Sequence, residues 1–129
     1  MEKLRTKAFT PDDVVAALLT FLPDKFSNDP SKIHKKIAEL QKRNEYKDLL
    51  EDFEFIDYYP YPYSPLLGRI LNRLQESRLL SSLNPDYKEY VMERASKDAI
   101  RSNILEKKLS AQHAELEQIA LELKGVLKC

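Results

Sequence analysis

Residues 58–92 read YYPYPYSPLLGRILNRLQESRLLSSLNPDYKEYVM. Ser64 has the short side-chain oxygen that caps a helix, and Pro65 suits the first helical position, where its missing N–H is not needed. At about 100° per residue, Leu67, Ile70, Leu71 and Leu74 fall on one face. Arg69, Asn72, Gln75 and Glu76 fall on the other, with Arg73 at its edge. This spacing predicts a helix over Pro65–Glu76, which Arg78 helps to end by bonding its last carbonyls. Two short apolar runs follow, around the turn signal Asn84-Pro85-Asp86, and predict a two-stranded hairpin.

Working outward, Phe9-Thr10-Pro11-Asp12-Asp13-Val14 is a helix start. Thr10 caps, Pro11 opens, two acids favour the positive end of the dipole, and Phe9 and Val14 suit a hydrophobic staple. Val15, Leu18, Leu19 and Leu22 continue at helical spacing until Pro23. Asp29-Pro30 starts a second helix running to about Arg43, with Ile33, Ile37 and Leu40 inward. A third, shorter helix is expected over Tyr46–Phe53. From Phe53 to Tyr63 the chain is expected to be extended, because Phe53 and Phe55 alternate with acids and Pro60 and Pro62 forbid helix. After Met92, Ser96 is expected to cap one long helix reaching about Leu127. Leu105, Leu109, Leu116, Ile119, Leu123 and Val126 form a heptad-like seam there, with Gln112 in its one gap.

A helix running straight into a hairpin is the second half of a winged helix-turn-helix. The expected fold is therefore mainly α (α+β): a winged-helix domain over residues 8–93, and a C-terminal helix over 94–129. Lys+Arg and Asp+Glu both number 21, so whole-chain charge exerts no pull toward polyanions. Any nucleic-acid surface must come from local segregation of charge. No apolar run is long enough to span a bilayer, and Met1 to Thr10 lacks the apolar core of a secretory signal. The one cysteine, Cys129, excludes a disulfide framework within the chain, and a cytoplasmic setting is expected. Two glycines are too few for a phosphate-cradling loop.

Arginine can bond two guanine edge atoms at once, and asparagine or glutamine two of adenine. Arg69, Asn72, Arg73 and Gln75 are thus candidates for reading bases, against the plainer alternative of a solvated polar face. Lys35, Lys36, Lys42 and Arg43 lie away from the apolar stripe of the second helix, opposed by Glu39. Such a row suits phosphate contact, which needs charge and little directionality. Lys88, near the hairpin tip, is a further phosphate candidate beside Asp86 and Glu89. Asp48, Glu51, Asp52, Glu54 and Asp57 must point away from any duplex. The tyrosines at 58, 59, 61 and 63 lie among prolines and acids, which favours packing onto the core over base stacking.

No catalytic or metal constellation is present in the sequence. His34 and His113 sit on different helices, and His113-Ala114-Glu115 has no second histidine at ligand spacing. Neither an enzyme nor a cofactor is expected. The C-terminal seam has two readings: it dimerises the chain, the favoured one, or it folds back on its own domain. Ile100, Ile104, Ala120, Leu121 and Leu127 widen the stripe beyond a two-stranded seam.

With these residues in view, the block from Ile33 to Met92 resembles bacterial winged-helix proteins. The Pro-Tyr-Ser-Pro run at 62–65, with leucines at 67, 71, 74, 79 and 80, is similar to the reading-helix region of PadR-like and MarR-like regulators. It is also similar to prophage and toxin–antitoxin winged-helix proteins carrying a Tyr-Gly-Pro-Tyr-Ser element, whose glycine is here Tyr61. The resemblance implies a homodimeric transcriptional regulator that binds double-stranded DNA. The alternative is a protein–protein interaction module, antitoxin-like or adaptor-like, that binds a protein partner and no nucleic acid.

Overall fold

Every residue from Asp13 to Leu19 of the first helix is buried, so beyond its first turn this helix has no solvent face. The structure, a computed structural model, describes residues 9–58, 60–82 and 88–127. Helix α1 spans Pro11–Leu19 and opens with a reciprocal box. The Thr10 hydroxyl accepts from the Asp13 amide at 3.2 Å, and the Asp13 carboxylate accepts from the Thr10 amide at 2.9 Å. The helix ends where the Thr20 hydroxyl donates back to the Ala17 carbonyl at 2.7 Å.

Around α1 the chain forms β1 (Lys25–Ser27), α2 (Pro30–Gln41), a 3₁₀ turn (Asn44–Tyr46) leading into α3 (Lys47–Leu50), β2 (Ile56–Tyr58), β3 (Tyr61–Tyr63) and α4 (Pro65–Glu76). It continues through β4 (Ser81–Ser82), β5 (Glu89–Val91), α5 (Arg94–Ile100), a π-helical segment (Arg101–Leu105), α6 (Glu106–Lys108), a 3₁₀ turn (Ser110–Gln112) and α7 (His113–Val126). The molecule is mainly helical with two small sheets. In one, β5 lies between β1 and β4, all antiparallel. Phe26 and Tyr90 face each other across the β1–β5 pair with edge-to-face rings 5.8 Å apart, both buried. The other sheet is the hairpin β2–β3, with Ile56 opposite Tyr63.

Several expectations hold and several are corrected. The helix predicted over Pro65–Glu76 forms over those residues, and Asp29 caps α2 as expected, accepting from the Ser31 amide at 2.9 Å. The third helix is shorter than expected, because α3 stops at Leu50. Phe53-Glu54-Phe55 is not a strand: Phe53 is buried by side-chain packing, and pairing starts only at Ile56. The extended tract is a hairpin, and β1 was not foreseen. Asn84-Pro85-Asp86, Tyr87, Tyr59 and Cys129 lie outside the described residues.

The largest correction concerns the C-terminal segment. The helix begins at Arg94 with no side-chain cap, and Ser96 lies inside it. It leaves helical geometry at Leu109 (φ −127°, ψ 17°) and restarts at His113. A straight helix over residues 96–127 would be about 48 Å long at 1.5 Å per residue. Broken at Leu109, it lays both apolar stretches on one core. Leu105, Leu109, Leu116, Ile119 and Leu123 are all buried in the same cluster as Val14, Ile37 and Ile70. Of the six seam residues only Val126 is exposed. The seam is filled by the chain's own helices, since α7 packs against α1 and α2.

Polar ties hold this segment in place. Lys97, itself buried, donates at 2.7 Å to the Leu22 carbonyl and at 2.7 Å to the Asp24 carboxylate. That contact holds the Asp24 carboxyl below its usual range. Arg101, where the helix widens, donates to the Thr20 carbonyl at 3.0 Å at the negative end of α1 and covers the Phe21 ring at 5.1 Å. The last turn is tied back to the sheet by the Ser27 amide, which donates to the Leu127 carbonyl at 2.9 Å. Among the described residues no helix is long and apolar enough to cross a membrane.

Candidate nucleic-acid interface

Both ends of α4 are fixed by named contacts. At the N-terminus, the Ser64 hydroxyl accepts from the Leu67 amide at 3.2 Å. The Ser64 amide in turn donates to His34 Nδ1 at 3.0 Å. An accepting Nδ1 requires neutral imidazole, and burial agrees, pushing the His34 pKa down to about 4. The Tyr63 ring stacks on His34 with centroids 4.5 Å apart and planes 17° from parallel. Gly68 lies under the Tyr63 hydroxyl, where a Cβ would sit 2.5 Å from that oxygen. A glycine early in an exposed helix is therefore explained by close approach of the tyrosine.

At the C-terminus, the Leu79 and Arg78 amides donate to the Leu74 and Gln75 carbonyls, both at 3.0 Å, in the Schellman pattern. Arg78 takes the left-handed position with φ 67°. Its backbone, not its side chain, ends the helix. The inner face of α4 buries Leu67, Ile70, Leu71 and Leu74, as the spacing predicts. The chain then enters β4 with four intervening residues.

On the outer face, Arg69 and Asn72 are exposed, and their side chains make no hydrogen bond or ion pair among the described residues. Arg73 is engaged: its guanidinium forks onto the Asp12 carboxylate of α1 with two bonds of 2.9 Å. Both partners are about half exposed, so this pair is weak and open to competition. Gln75 is turned toward the sheet, its Oε1 accepting from the Ser82 hydroxyl at 3.0 Å. Its placement is that of a brace between α4 and β4, which removes its amide oxygen from base reading.

The basic row of α2 is divided in the same way. Lys36 pairs with Glu122 of α7 at 3.2 Å and with Glu39 at 3.6 Å, and Arg43 reaches Glu122 at 3.5 Å. The Lys36 hydrogen bond holds the Glu122 carboxyl below its ordinary range. Lys35 and Lys42 are exposed and unpaired among the described residues, as is the Lys88 side chain. Lys32, Lys35 and Lys36 line a groove that contains no residue of α4. The candidate residues thus come from different elements, with Arg69, Asn72 and Arg73 on α4, Lys35, Lys36 and Lys42 on or at the end of α2, and Lys88 beside β5.

Sequence reasoning missed three residues that matter here. His34, Asp12 and Glu122 each meet a partner 30 or more positions away. Only the position of His34 beside the Ile33/Ile37 stripe signalled that it faces the core. Tyr63 packs on His34, in line with the packing expected of the tyrosines. Among the described residues, no group of three or more His, Cys, Asp or Glu is placed to hold a metal ion. Comparison with models of protein families, with curated proteins and with solved structures finds no match to this chain.

Proposed function

We propose that the chain is a winged-helix protein that binds double-stranded DNA through α4. The observation that carries this reading is connectivity. A helix, a strand, a helix, the reading helix and two strands follow in order, with the first strand beside the last in a sheet ordered β1-β5-β4. In a winged helix-turn-helix, the helix that feeds the wing enters the major groove. The helix in that position is α4, and residues 42–64, with α3 and the β2–β3 hairpin, enlarge the turn before it. Its free outward side chains, Arg69 and Asn72, are types that bond base edges in pairs.

The reading narrows the expected contacts. Arg69 and Asn72 face bases, and Arg73 joins once Asp12 releases it. Lys88 beside the wing contacts phosphate. Lys36 and Arg43 are neutralised by Glu122 and contribute little. Dimerisation through Leu105, Leu109, Leu116, Ile119 and Leu123 is not part of the proposal, because those side chains are buried in the chain's own core.

Fluorescence anisotropy of a labelled random-sequence duplex, titrated with salt, tests the proposal. Micromolar binding at low salt is expected, with a log–log slope steeper than about −3, as released counterions require. Absence of binding at low salt would overturn it and leave a protein-binding module as the remaining reading.

A further inference from the structure

A groove beside α2 is not used by the DNA reading. It encloses about 580 Å³ between α2, the turn of the β2–β3 hairpin and the end of α7. That is the size range of small-molecule sites. Ser31, Lys32, Lys35, Lys36 and Glu39 form one wall, and Pro60, Tyr61 and Val126 form the other. All five wall residues of α2 lie on the face opposite its buried Ile33, Ile37 and Leu40.

The two walls differ in chemistry. Lys32, Lys35 and Lys36 stand against two carboxylates, Glu39 on α2 and Glu122 beside it on α7, so the α2 wall keeps a small excess of positive charge. Lys36 is already bonded to Glu39 and Glu122. Lys32 and Lys35 make no side-chain hydrogen bond or ion pair among the described residues, although the Lys32 charge helps hold the nearby Asp29 carboxyl below its ordinary range. The opposite wall offers a proline ring, a half-buried tyrosine and Val126, which is 36% exposed. A charged wall facing an apolar and aromatic wall matches a molecule with an anionic end and a flat or apolar end.

From this we infer that the groove binds a phosphorylated, ring-bearing small molecule of nucleotide size, with its phosphates on Lys32 and Lys35 and its ring against Pro60 and Tyr61. A polyanionic duplex is a poorer occupant, because Glu39 lines the groove and Glu122 pairs with Lys36 beside it. The inference does not depend on DNA binding by α4, whose residues are absent from the groove.

The test uses the full chain with ADP and, separately, inorganic pyrophosphate as probes, followed by amide chemical-shift mapping and calorimetry. ADP is expected to shift the amides of residues 31–39 and of Tyr61 and to leave those of 66–76 in place. Lys32→Gln with Lys35→Gln should weaken both probes by at least about tenfold, the loss of one charge-assisted bond. Tyr61→Ala should weaken ADP and spare pyrophosphate. Arg69→Ala should change neither, which separates this site from the proposed DNA surface. Shifts scattered over lysines elsewhere, equal binding by the double variant, or no binding of either probe would overturn the inference. A circular dichroism melt of each variant identifies any that fails to fold, and Lys35→Glu, a single exposed substitution, then replaces it.

Discussion

Between pH 7 and 4.5, acidification should weaken this protein chiefly through His34. His34 is buried, accepts the Ser64 amide on Nδ1 and is stacked under Tyr63. A proton on Nδ1 would replace that acceptor with a second donor aimed at an N–H. The side-chain pKa falls from 6.5 to about 4 in the fold, because burial disfavours the charged ring. Between those values the unfolded chain binds the proton and the native chain does not. Stability is therefore fully present above the unfolded pKa and is lost as pH falls from 6.5 toward 4. At about 1.4 kcal/mol per unit, the loss approaches roughly 3 kcal/mol, with about 2 kcal/mol already reached at pH 4.5. That is a large share of the stability of a typical domain.

The assay is urea unfolding at pH 7 and at pH 4.5 for the wild type and for His34→Gln. Glutamine keeps an acceptor within reach of Ser64 but cannot titrate. Asp24, Asp29 and Glu122 are each held below the ordinary carboxyl range, so their stabilisation is lost on acidification as well. They are present in both proteins and cancel in the difference. The wild type should lose about 2 kcal/mol more than the variant across this interval. In the same samples, the His34 ring resonance should titrate near 4, well below the ordinary histidine value of 6.5. Equal acid sensitivity of the two proteins, or a His34 midpoint near 6.5, would refute the reasoning.

Three further effects follow from single contacts. Gly68→Ala should destabilise the fold although alanine favours helix by about 1 kcal/mol, because the Tyr63 hydroxyl occupies the space; in a Tyr63→Phe background the same change should be neutral or stabilising. A thermal-melt double-mutant cycle reads this coupling. Arg78→Gly should raise stability by a few tenths to about 1 kcal/mol, measured by urea unfolding, because it relieves a positive φ in a side-chain-bearing residue. Asp12→Asn should release Arg73 and raise duplex affinity at low salt by a few-fold, while lowering stability by about 0.3–1 kcal/mol through loss of a first-turn acid in α1. Unchanged affinity in that variant would show that Arg73 does not reach DNA.

The elements legible in the sequence were those with local signatures. Thr10-Pro11, Asp29-Pro30 and Ser64-Pro65 each announce a helix by chemistry confined to a few residues, and each helix begins there. The α4 stripe was equally legible, because its four buried residues follow a single period. What escaped depends on partners distant in sequence. Lys25-Phe26-Ser27 is too short to show alternation and is a strand only because β5 pairs with it. The break at Leu109 carries neither proline nor glycine. It follows from packing, which rewards folding the two halves of the apolar stripe onto α1 and α2 over exposing them on a rod. For the site, residue types and helix face were readable, but their occupancy was not. Asp12, Ser82 and Glu122 take up Arg73, Gln75 and Lys36; Asp12 and Glu122 lie far from their partners in the chain, and Ser82 meets Gln75 only across the turn from α4 into β4.

The measurement that tests the central proposal most directly is amide chemical-shift mapping of the protein titrated with a short duplex at low salt. The account predicts that shifts concentrate on α4 and on Lys88, and that Arg69→Ala with Asn72→Ala removes those on α4 without unfolding the chain. Shifts centred on another surface, or none on residues 65–76, would contradict it.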